Sequence, residues 1–376
     1  MKVLFLARYL PAEGSTTQMY SLAQGLIAQG WQVDIVSGGP DGGPADALLE
    51  AAENAGVRHH RAGFPVRPSF DVLGKIVQLL TYVCATPTAI LHIRRIRPDV
   101  IHVHYPVTSF IASLWRRLTG TPFVTTYHIS GIPRHPLNRT ANAAIAISSE
   151  LRSEIEERFG YDSRDVHLVY NGVDPQRFRV PTPNEKAVAR ANLGLDSTEI
   201  VIAFVGSFDK RKGLDILLKA LAAIKELGAH LLLVGDGDTE WLQSCIQNNT
   251  VEELVQIVPF RDPVGVYWAS DIFVLPSRRE GFPLVTVEAM MTGTPVIRSD
   301  VEGATEQISH GETGLLFPSE DADALASHLR QLINSPGQRQ ALAQAGARDA
   351  RKRFPLDVMA KSTAQVYDIV RGRTQR

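Results

Sequence analysis

The segment that decides the fold of the second half of the chain is Arg278-Arg279-Glu280-Gly281-Phe282-Pro283-Leu284-Val285-Thr286-Val287-Glu288-Ala289-Met290. The run before it, residues 271–276, is short, apolar and β-branched, which predicts a buried strand. Pro283 suits the first position of a helix, and it pushes Phe282 toward an extended conformation. The segment therefore predicts a strand, a tight loop that carries Glu280, and a helix with Glu288 in its first turns.

This arrangement favours a ligand site, because open α/β sheets bind ligands at the carboxyl ends of their strands. The amides of Leu284, Val285 and Thr286 should have no partner within the helix, so they would point toward a polar group bound at that edge. The segment alone is also compatible with an ordinary strand-helix unit that carries surface glutamates.

Short apolar runs alternate with amphipathic runs along the rest of the chain, and this pattern predicts an α/β fold with parallel sheets flanked by helices. Strands are expected at residues 3–6, 32–36, 100–103, 123–126, 143–147 and 166–169, and then at 200–205, 230–234, 255–258, 272–275 and 296–298. Between the two sets, the polar and Pro-rich residues 180–185 predict a linker. A chain of 376 residues is long enough for two cores.

The spacing of Glu280 and Glu288 is that of the E-x7-E motif of the retaining GT-B glycosyltransferases of family 4, and the chain resembles this family along nearly its whole length. The other matching segments keep the family's order: residues 1–6 with Gly14, 30–33, 99–104, 125–128, 144–148, 171–178, 205–206 with 212–213, 234–237 and 310–316.

The resemblance implies the GT-B fold, which has two Rossmann-like domains facing across a cleft. Residues 1–180 would form the acceptor-side domain, residues 181–354 the nucleotide-sugar-binding domain, and residues 355–376 a C-terminal helix that crosses back to the first domain. It also implies a retaining transferase of the hexosyltransferase type in polysaccharide or glycolipid biosynthesis. The donor would be a nucleotide-diphosphate sugar, and the acceptor a glycan, a lipid-linked molecule or a small molecule.

A diphosphate leaving group needs cations and amide donors where its charge develops. Lys212, followed by Gly213, matches the family's phosphate-binding pair and is the first candidate for that role. The family often carries an arginine directly after the glycine equivalent to Gly206, but this chain has Ser207 there. Arg211 or Lys210 is then the expected second cation.

Metal dependence is not expected, because Lys212 and the helix amides would replace a cation, and the resemblance implies no cofactor. Asp236-Gly237-Asp238 is interpreted as a structural turn, since it falls in a segment similar to the family's Val-Gly-x-Gly turn. No Cys/His group has zinc spacing.

The resemblance assigns the remaining site residues. His128 would approach the transferred sugar and contact a hydroxyl, Glu280 would lie beside the donor sugar, and Glu288 would accept hydrogen bonds from the ribose hydroxyls. Further donor contacts are expected from Gly14, from Phe282, Pro283 and Leu284, and from Pro259, Phe260 and Arg261 near the base. His102 and His104 are weaker candidates, with a core role or a role near the acceptor equally open.

The charge distribution concerns the acceptor. Between residues 54 and 140 there are 11 basic residues and two acidic ones, a net charge of +9 within a chain whose net charge is −1. Such an excess suggests an anionic membrane surface, a lipid-phosphate acceptor or an acidic glycan, unless the arginines are scattered. A membrane-facing group of Arg58, Arg61 and Arg67 is one expectation, whereas His59-His60-Arg61 is interpreted as a solvated turn. No nucleic-acid partner is expected.

A cytoplasmic location is expected, with peripheral contact to the inner face of the membrane. Arg8 interrupts the apolar N-terminal run, which argues against a secretory signal. Cys84 and Cys245 are far apart in sequence and fall in different predicted domains, so no disulfide is expected and a reducing compartment is favoured. Two other functions stay open. A nucleotide-sugar 2-epimerase would form product without any acceptor, and a non-catalytic carbohydrate or membrane-surface binding module would show no turnover.

Overall fold

Two parallel sheets organise the chain in the computed structural model, which describes residues 1–65, 72–104, 106–132 and 137–374. The residues fall into two units, Met1–Gly172 with Leu356–Arg376, and Val173–Pro355. Arg67, Asp71 and Arg134, which contribute to the basic segment of the sequence, lie outside the described residues.

The first unit contains a parallel sheet with strand order β3-β2-β1-β4-β5-β6-β7. The strands are β1 (Lys2–Leu6), β2 (Gln32–Ser37), β3 (Arg58–Arg61), β4 (Val100–Val103), β5 (Phe123–Tyr127), β6 (Ala143–Ala146) and β7 (Val166–Leu168). The helices are α1 (Gly14–Ala28), α2 (Pro44–Asn54), α3 (Val72–Ile96), α4 (Ser109–Thr119), α5 (Ser149–Phe159) and, from the end of the chain, α14 (Leu356–Thr374).

The second unit contains a parallel sheet with strand order β10-β9-β8-β11-β12-β13. The strands are β8 (Val201–Val205), β9 (His230–Val234), β10 (Val255–Val258), β11 (Ile272–Leu275), β12 (Val296–Asp300) and β13 (Leu315–Pro318). The helices are α6 (Pro183–Asn192), α7 (Leu214–Ala222), α8 (Thr239–Asn249), α9 (Val264–Ala269), α10 (Leu284–Met291), α11 (Ala304–Gln307), α12 (Ala322–Asn334) and α13 (Pro336–Arg353). The predicted pair of parallel α/β sheets is confirmed.

The C-terminal helix α14 packs on α1 in the first unit, which confirms the predicted return of the chain. A side chain at Gly25 would place its Cβ 2.8 Å from the Cβ of Ala360, so glycine lets the two helices approach closely. Met359, Val366 and Tyr367 of α14 lie in the core of this unit. Burying such side chains contributes about 1.5–3 kcal/mol each, which holds the end of the chain on the first sheet.

The interpretation of residues 59–61 as a solvated turn is wrong, because they belong to the edge strand β3. Its residues are polar because they bind β2 through side chains: Arg58 and His60 both contact Asp34, at 2.5 and 2.8 Å. Arg61 instead donates to the carbonyl of Gly38 at 2.9 Å. Successive side chains of a strand alternate between its faces, so Arg58 and Arg61 cannot form one exposed face.

Three further details differ from the sequence predictions. Strand β13 was not predicted, since a four-residue edge strand gives a weak pattern. The predicted linker 180–185 in part forms helix α6, because Pro183 begins the helix and Thr182 and Glu185 form a capping box. Residues 173–180, predicted to end the first domain, belong to the second unit.

Candidate functional site

The loop between β11 and α10 carries Glu280 in the second unit, as the sequence predicts. Helix α10 begins at Leu284, and Pro283 precedes it with an extended ψ of 125°. The expectation that Pro283 occupies the first helical position is therefore wrong by one residue. Phe282 is buried, and its ring centroid lies 5.2 Å from that of Phe354, which fixes the loop against the inside of the unit.

Glu280 and Lys212 form an ion pair with very little exposure to solvent. The Lys212 Nζ atom lies 2.6 Å from Glu280 Oε1, and the side chains are 13% and 8% exposed. The Ser277 hydroxyl donates to the same oxygen at 2.7 Å. Burial acts to raise the pKa of Glu280, but the charge and hydrogen bond of Lys212, together with Ser277, outweigh it, and this pKa lies below its ordinary value. Two predicted site residues are thus in direct contact as carboxylate and ammonium.

The turn after β8 explains how Lys212 reaches this position. Asp209 Oδ1 accepts a hydrogen bond from the amide of Lys212 at 3.2 Å, which closes the turn. Gly213 follows with a φ of +68°, and a Cβ there would lie 2.0 Å from the carbonyl oxygen of Pro276. Only glycine permits this approach of the turn to the end of β11. Gly213 therefore lets the turn lie against the end of β11, and this close contact positions the ammonium of Lys212.

The neighbouring residues of this turn do not take part in the buried ion pair. Arg211 is exposed and lies 3.5 Å from Asp209. Ser207, which replaces the family's arginine, donates to Asp209 at 2.6 Å. Gly206 directly follows β8, and its amide donates to the carbonyl of Val234 at 3.0 Å. Arg211 therefore lies near Lys212 in sequence but outside the buried ion pair.

Arg278 connects the turn that carries Lys212 to the loop that carries Glu280, a role that no sequence pattern predicts. Its guanidinium makes two hydrogen bonds of 2.8 Å to Asp215 at the start of α7. It also bonds Glu320, at 2.5 and 2.9 Å. Its amide donates to the carbonyl of Arg211 at 2.8 Å. Asp215 and Glu320 lie far from Arg278 in sequence. Only its position two residues before Glu280 could therefore have marked Arg278 as part of the site.

Glu288 lies within α10, 6% exposed, and its Oε2 accepts a hydrogen bond from the Tyr267 hydroxyl at 2.7 Å. Burial raises the pKa of Glu288 to about 7, against the lowering effects of Tyr267 and of Arg177. Arg177 in turn pairs with Asp262 at 3.0 Å. Glu288 is therefore partly protonated near neutral pH, whereas Glu280 is ionised.

Pro259, Phe260 and Arg261 follow the carboxyl end of β10 and are exposed. Among the contacts of the described residues, no hydrogen bond or ion pair joins them to Lys212 or Glu280. Asp238 accepts a hydrogen bond from the amide of Trp241 and caps α8, in agreement with a structural role for that turn. The described residues contain no group of three or more His, Cys, Asp or Glu side chains that could hold a metal ion.

In the first unit, His128 follows β5 and stacks on a row of buried histidines. Its Nε2 lies 3.4 Å from His104 Nδ1, and the rings of His104 and His102 lie 4.2 Å apart. His102 is held between the hydroxyls of Tyr367 and Thr126, both at 2.6 Å. Burial lowers the pKa of His128 to about 4 and that of His102 to about 3, so these imidazoles are neutral at physiological pH. His102 thus belongs to the core, and His128 stands at its edge.

Gly14 begins α1 after the end of β1, as expected. A Cβ at this position would meet open space, so nothing in the described structure requires glycine there. The structure therefore leaves the proposed contact of this loop with the donor as a prediction.

Comparison with known proteins gives matches to two family models that together span most of the chain. The model described as Glycosyl transferases group 1 matches residues 185–349, and the one described as Glycosyltransferase Family 4 matches residues 12–177. A D-inositol 3-phosphate glycosyltransferase of Rhodococcus jostii is 30% identical over 375 residues, covering 90% of this chain and 81% of that protein. An uncharacterised glycosyltransferase of Methanocaldococcus jannaschii is 27% identical, covering 93% of this chain and 92% of that protein.

Solved structures resemble the whole chain in fold. The Anabaena protein HepE in complex with UDP and glucose has a TM-score of 0.82 at 22% identity, covering 98% of this chain and 99% of that one. The sucrose-phosphate synthase of Thermosynechococcus elongatus has a TM-score of 0.80 at 23% identity, covering 99% of this chain and 100% of that one. No helix in the described part of the chain is long and apolar enough to cross a membrane.

Proposed function

Because this chain belongs to the family of group 1 glycosyl transferases, we propose that it transfers a hexose from a nucleotide-diphosphate donor with retention of anomeric configuration. The observation that carries the proposal is the buried pair of Lys212 and Glu280, which lies between the ends of two neighbouring strands of the second sheet. Burying a charged pair costs free energy because both charges lose their hydration. A pair retained at this edge of the sheet is therefore expected to serve ligand binding or the fold.

Lys212 is proposed to stabilise the diphosphate. Negative charge develops on this group as the glycosidic bond breaks, and a fixed ammonium stabilises it best where water is excluded. The amides of Leu284, Val285 and Thr286 at the start of α10 would add donors and the positive end of the helix dipole. Lys212 then supplies the charge that a metal ion supplies at other phosphate sites, and the proposal requires no metal or other cofactor.

Glu280 is proposed to have two tasks, which are to hold Lys212 in place and to contact the donor sugar. Glu288 would bind the ribose, because a carboxylate accepts hydrogen bonds from both hydroxyls of a vicinal diol. Its contact with Tyr267 fixes the carboxylate for that purpose. His128, as a neutral imidazole, would exchange a hydrogen bond with a sugar hydroxyl.

The acceptor is proposed to be a glycan, a lipid-linked molecule or a small molecule, reached from the cytoplasm. Cys84 and Cys245 are free thiols, which fits a reducing compartment. Helix α3 exposes Leu80, Val83 and Leu91 on the face that ends with Arg94 and Arg95.

Helix α4 packs beside α3 and exposes Leu114 and Leu118 next to Arg117. Apolar side chains flanked by arginines suit the interface of an anionic bilayer. We propose these two helix faces, in place of Arg58 and Arg61, as a peripheral membrane contact.

The test of the proposed activity is a screen of the purified protein against a panel of nucleotide sugars by thermal shift and slow hydrolysis. The expected result is stabilisation by one nucleoside diphosphate and release of a sugar whose first-formed anomer, detected by proton NMR, matches the donor. Lys212→Ala should weaken binding of that diphosphate by about 1.5–3 kcal/mol, the scale of charge-assisted hydrogen bonds. Unchanged calorimetric affinity in this variant would refute the role of Lys212.

The same screen separates the two alternatives. A 2-epimerase would convert the donor to a new nucleotide sugar without an acceptor, and a binding module would bind without turnover. The presence of Glu280, Glu288, Lys212 and His128 together favours catalysis over the binding module, and product formation without an acceptor distinguishes the epimerase from the transferase.

A further inference from the structure

Arg8 carries unused hydrogen-bond donors at the carboxyl edge of the first sheet. It lies two residues beyond the end of β1, and its Nε and Nη2 atoms are shielded from solvent with no hydrogen-bond partner in the described part of the chain. The hydroxyl of Tyr82, on α3, is also shielded from solvent. Burial raises the pKa of Tyr82, and both the positive charge of Arg8 and a side-chain hydrogen bond with Arg8 oppose that rise, so the two side chains are in contact.

The surroundings of Arg8 form a fixed frame. Its carbonyl accepts a hydrogen bond from the amide of Gly38 at 2.9 Å. A Cβ on Gly38 would lie 2.4 Å from the carbonyl oxygen of Phe64, so the chain passes tightly between Arg8 and Phe64. The Phe64 ring lies 5.6 Å from the ring of Tyr82, and the guanidinium carbon of Arg8 lies 5.0 Å from the ring centroid of Tyr9.

The unused donors of Arg8 have the geometry of an oxyanion site. Nε and Nη2 form one edge of the planar guanidinium, and their hydrogens point in parallel toward two oxygens of one carboxylate or phosphate. No ion pair among the described residues includes Arg8. Leaving buried donors unsatisfied costs about 1–3 kcal/mol for each group, and more when the group is charged. The folded chain thus bears a cost that a bound oxyanion would remove.

We propose that Arg8 and Tyr82 bind an oxyanion, a phosphate group or a carboxylate, on the acceptor. Arg8 would make the bidentate contact, and the Tyr82 hydroxyl would donate to a further oxygen. This site deepens the proposed function, on which it rests, by narrowing the acceptor to molecules that carry a phosphate group or a carboxylate. The site lies entirely within the first unit, so it can be tested separately from donor binding.

The probe is inorganic phosphate, observed by 31P NMR line broadening, with acetate as a competitor. All variants are built on Lys212→Ala, which removes the phosphate contact proposed for the second unit. Phosphate should still bind to this parent. Arg8→Lys keeps the charge but lacks the parallel donors, and it should weaken phosphate binding about tenfold to a hundredfold. Tyr82→Phe, which keeps the ring, should weaken it severalfold.

Displacement of phosphate by acetate at comparable concentrations would identify a carboxylate-binding site, and its failure to compete would identify a phosphate site; both support the proposal. Equal phosphate affinity in the parent, the Arg8→Lys variant and the Tyr82→Phe variant would overturn it. If the melting temperature of the Arg8→Lys variant is lower than that of the parent, the phosphate affinity of the Tyr82→Phe variant alone decides whether the site exists. A wild-type protein that binds phosphate through Arg8 but no nucleoside diphosphate would refute the proposed function and leave the oxyanion site standing.

Discussion

The ammonium of Lys212 lies 2.6 Å from the carboxylate of Glu280, although 68 residues separate them in sequence. This contact makes the two residues a unit, so their energies should not add. Lys212→Met leaves Glu280 buried with Ser277 as its remaining partner, and breaking a buried pair from one side costs about 3 kcal/mol or more. We expect the double variant Lys212→Met/Glu280→Gln to lose less stability than the sum of the single variants.

Thermal unfolding of the four proteins at one pH gives the coupling energy, which we expect to be at least about 1 kcal/mol. The control is the exposed pair of Arg330 and Glu226, 3.3 Å apart, where the same cycle should give a value below about 1 kcal/mol. Additive losses at Lys212 and Glu280 would show that the contact has no energetic role.

The two glutamates should differ in kinetics. Glu288→Gln should mainly raise the KM of the donor, because the proposed ribose contact is made equally in the ground state and the transition state. Glu280→Gln should mainly lower kcat, since it changes the group beside the sugar and loosens Lys212 as charge develops on the diphosphate. Steady-state kinetics with parallel losses in both variants would contradict this division of roles.

The same glutamates should also give opposite pH dependences of stability. Glu288 has a folded pKa of about 7, above its ordinary value of 4.5, so the folded state binds its proton more tightly than the unfolded state does. Its contribution to stability is therefore present below about pH 4.5 and is lost as the pH rises toward 7. Glu280 has a lowered pKa, so its contribution is present above the ordinary value and is lost as the pH falls.

Melting temperatures of the wild type, Glu288→Gln and Glu280→Gln at pH 3.5, pH 5 and pH 8 check this. Glu288→Gln should gain stability relative to the wild type between pH 5 and pH 8. Glu280→Gln should lose stability relative to the wild type between pH 3.5 and pH 5 and change little from pH 5 to pH 8. A loss for Glu288→Gln in the upper interval, or a gain for Glu280→Gln in the lower one, would refute the assigned protonation states.

Arg278 should act on nucleotide binding through position alone. Lysine at this site keeps the charge but cannot bridge Asp215 and Glu320 with parallel hydrogen bonds. We expect Arg278→Lys to weaken diphosphate binding several-fold, because the turn that holds Lys212 loses its anchor, and Arg330→Lys to leave it unchanged. Equal affinity in Arg278→Lys and the wild type would show that Asp209 and Gly213 suffice to place Lys212.

The sequence predicted the sheets and the E-x7-E loop because both depend on local patterns. Buried parallel strands form apolar runs, and Pro283 marks the helix within one residue of its start. What the sequence could not show are pairings between distant side chains. Strand β3 lacks an apolar pattern because Asp34 binds it through Arg58 and His60, and Arg278 finds its partners 63 and 42 residues away. Such contacts follow from the fold and leave no periodic trace.

The last prediction concerns the exposed faces of α3 and α4. Each arginine near an anionic bilayer adds about 1 kcal/mol of attraction, screened over a Debye length of about 8 Å at physiological salt. We expect vesicles rich in anionic lipid to bind the wild type at low salt. The triple variant Arg94→Ser, Arg95→Ser and Arg117→Ser should stay in the supernatant while still binding nucleotide.

A matched variant removes the same charge from other surfaces of the protein, through Lys225→Ser, Lys352→Ser and Lys361→Ser, and it should sediment with the vesicles like the wild type. The comparison matters because a general loss of positive charge would weaken both variants equally, whereas a defined contact weakens only the first. Leu118→Ser alone, at a side chain that is 69% exposed, should also weaken binding of the protein to the vesicles, since apolar residues are expected to enter the bilayer interface. Wild-type protein that ignores anionic vesicles at low salt would direct the search to an acceptor free in solution.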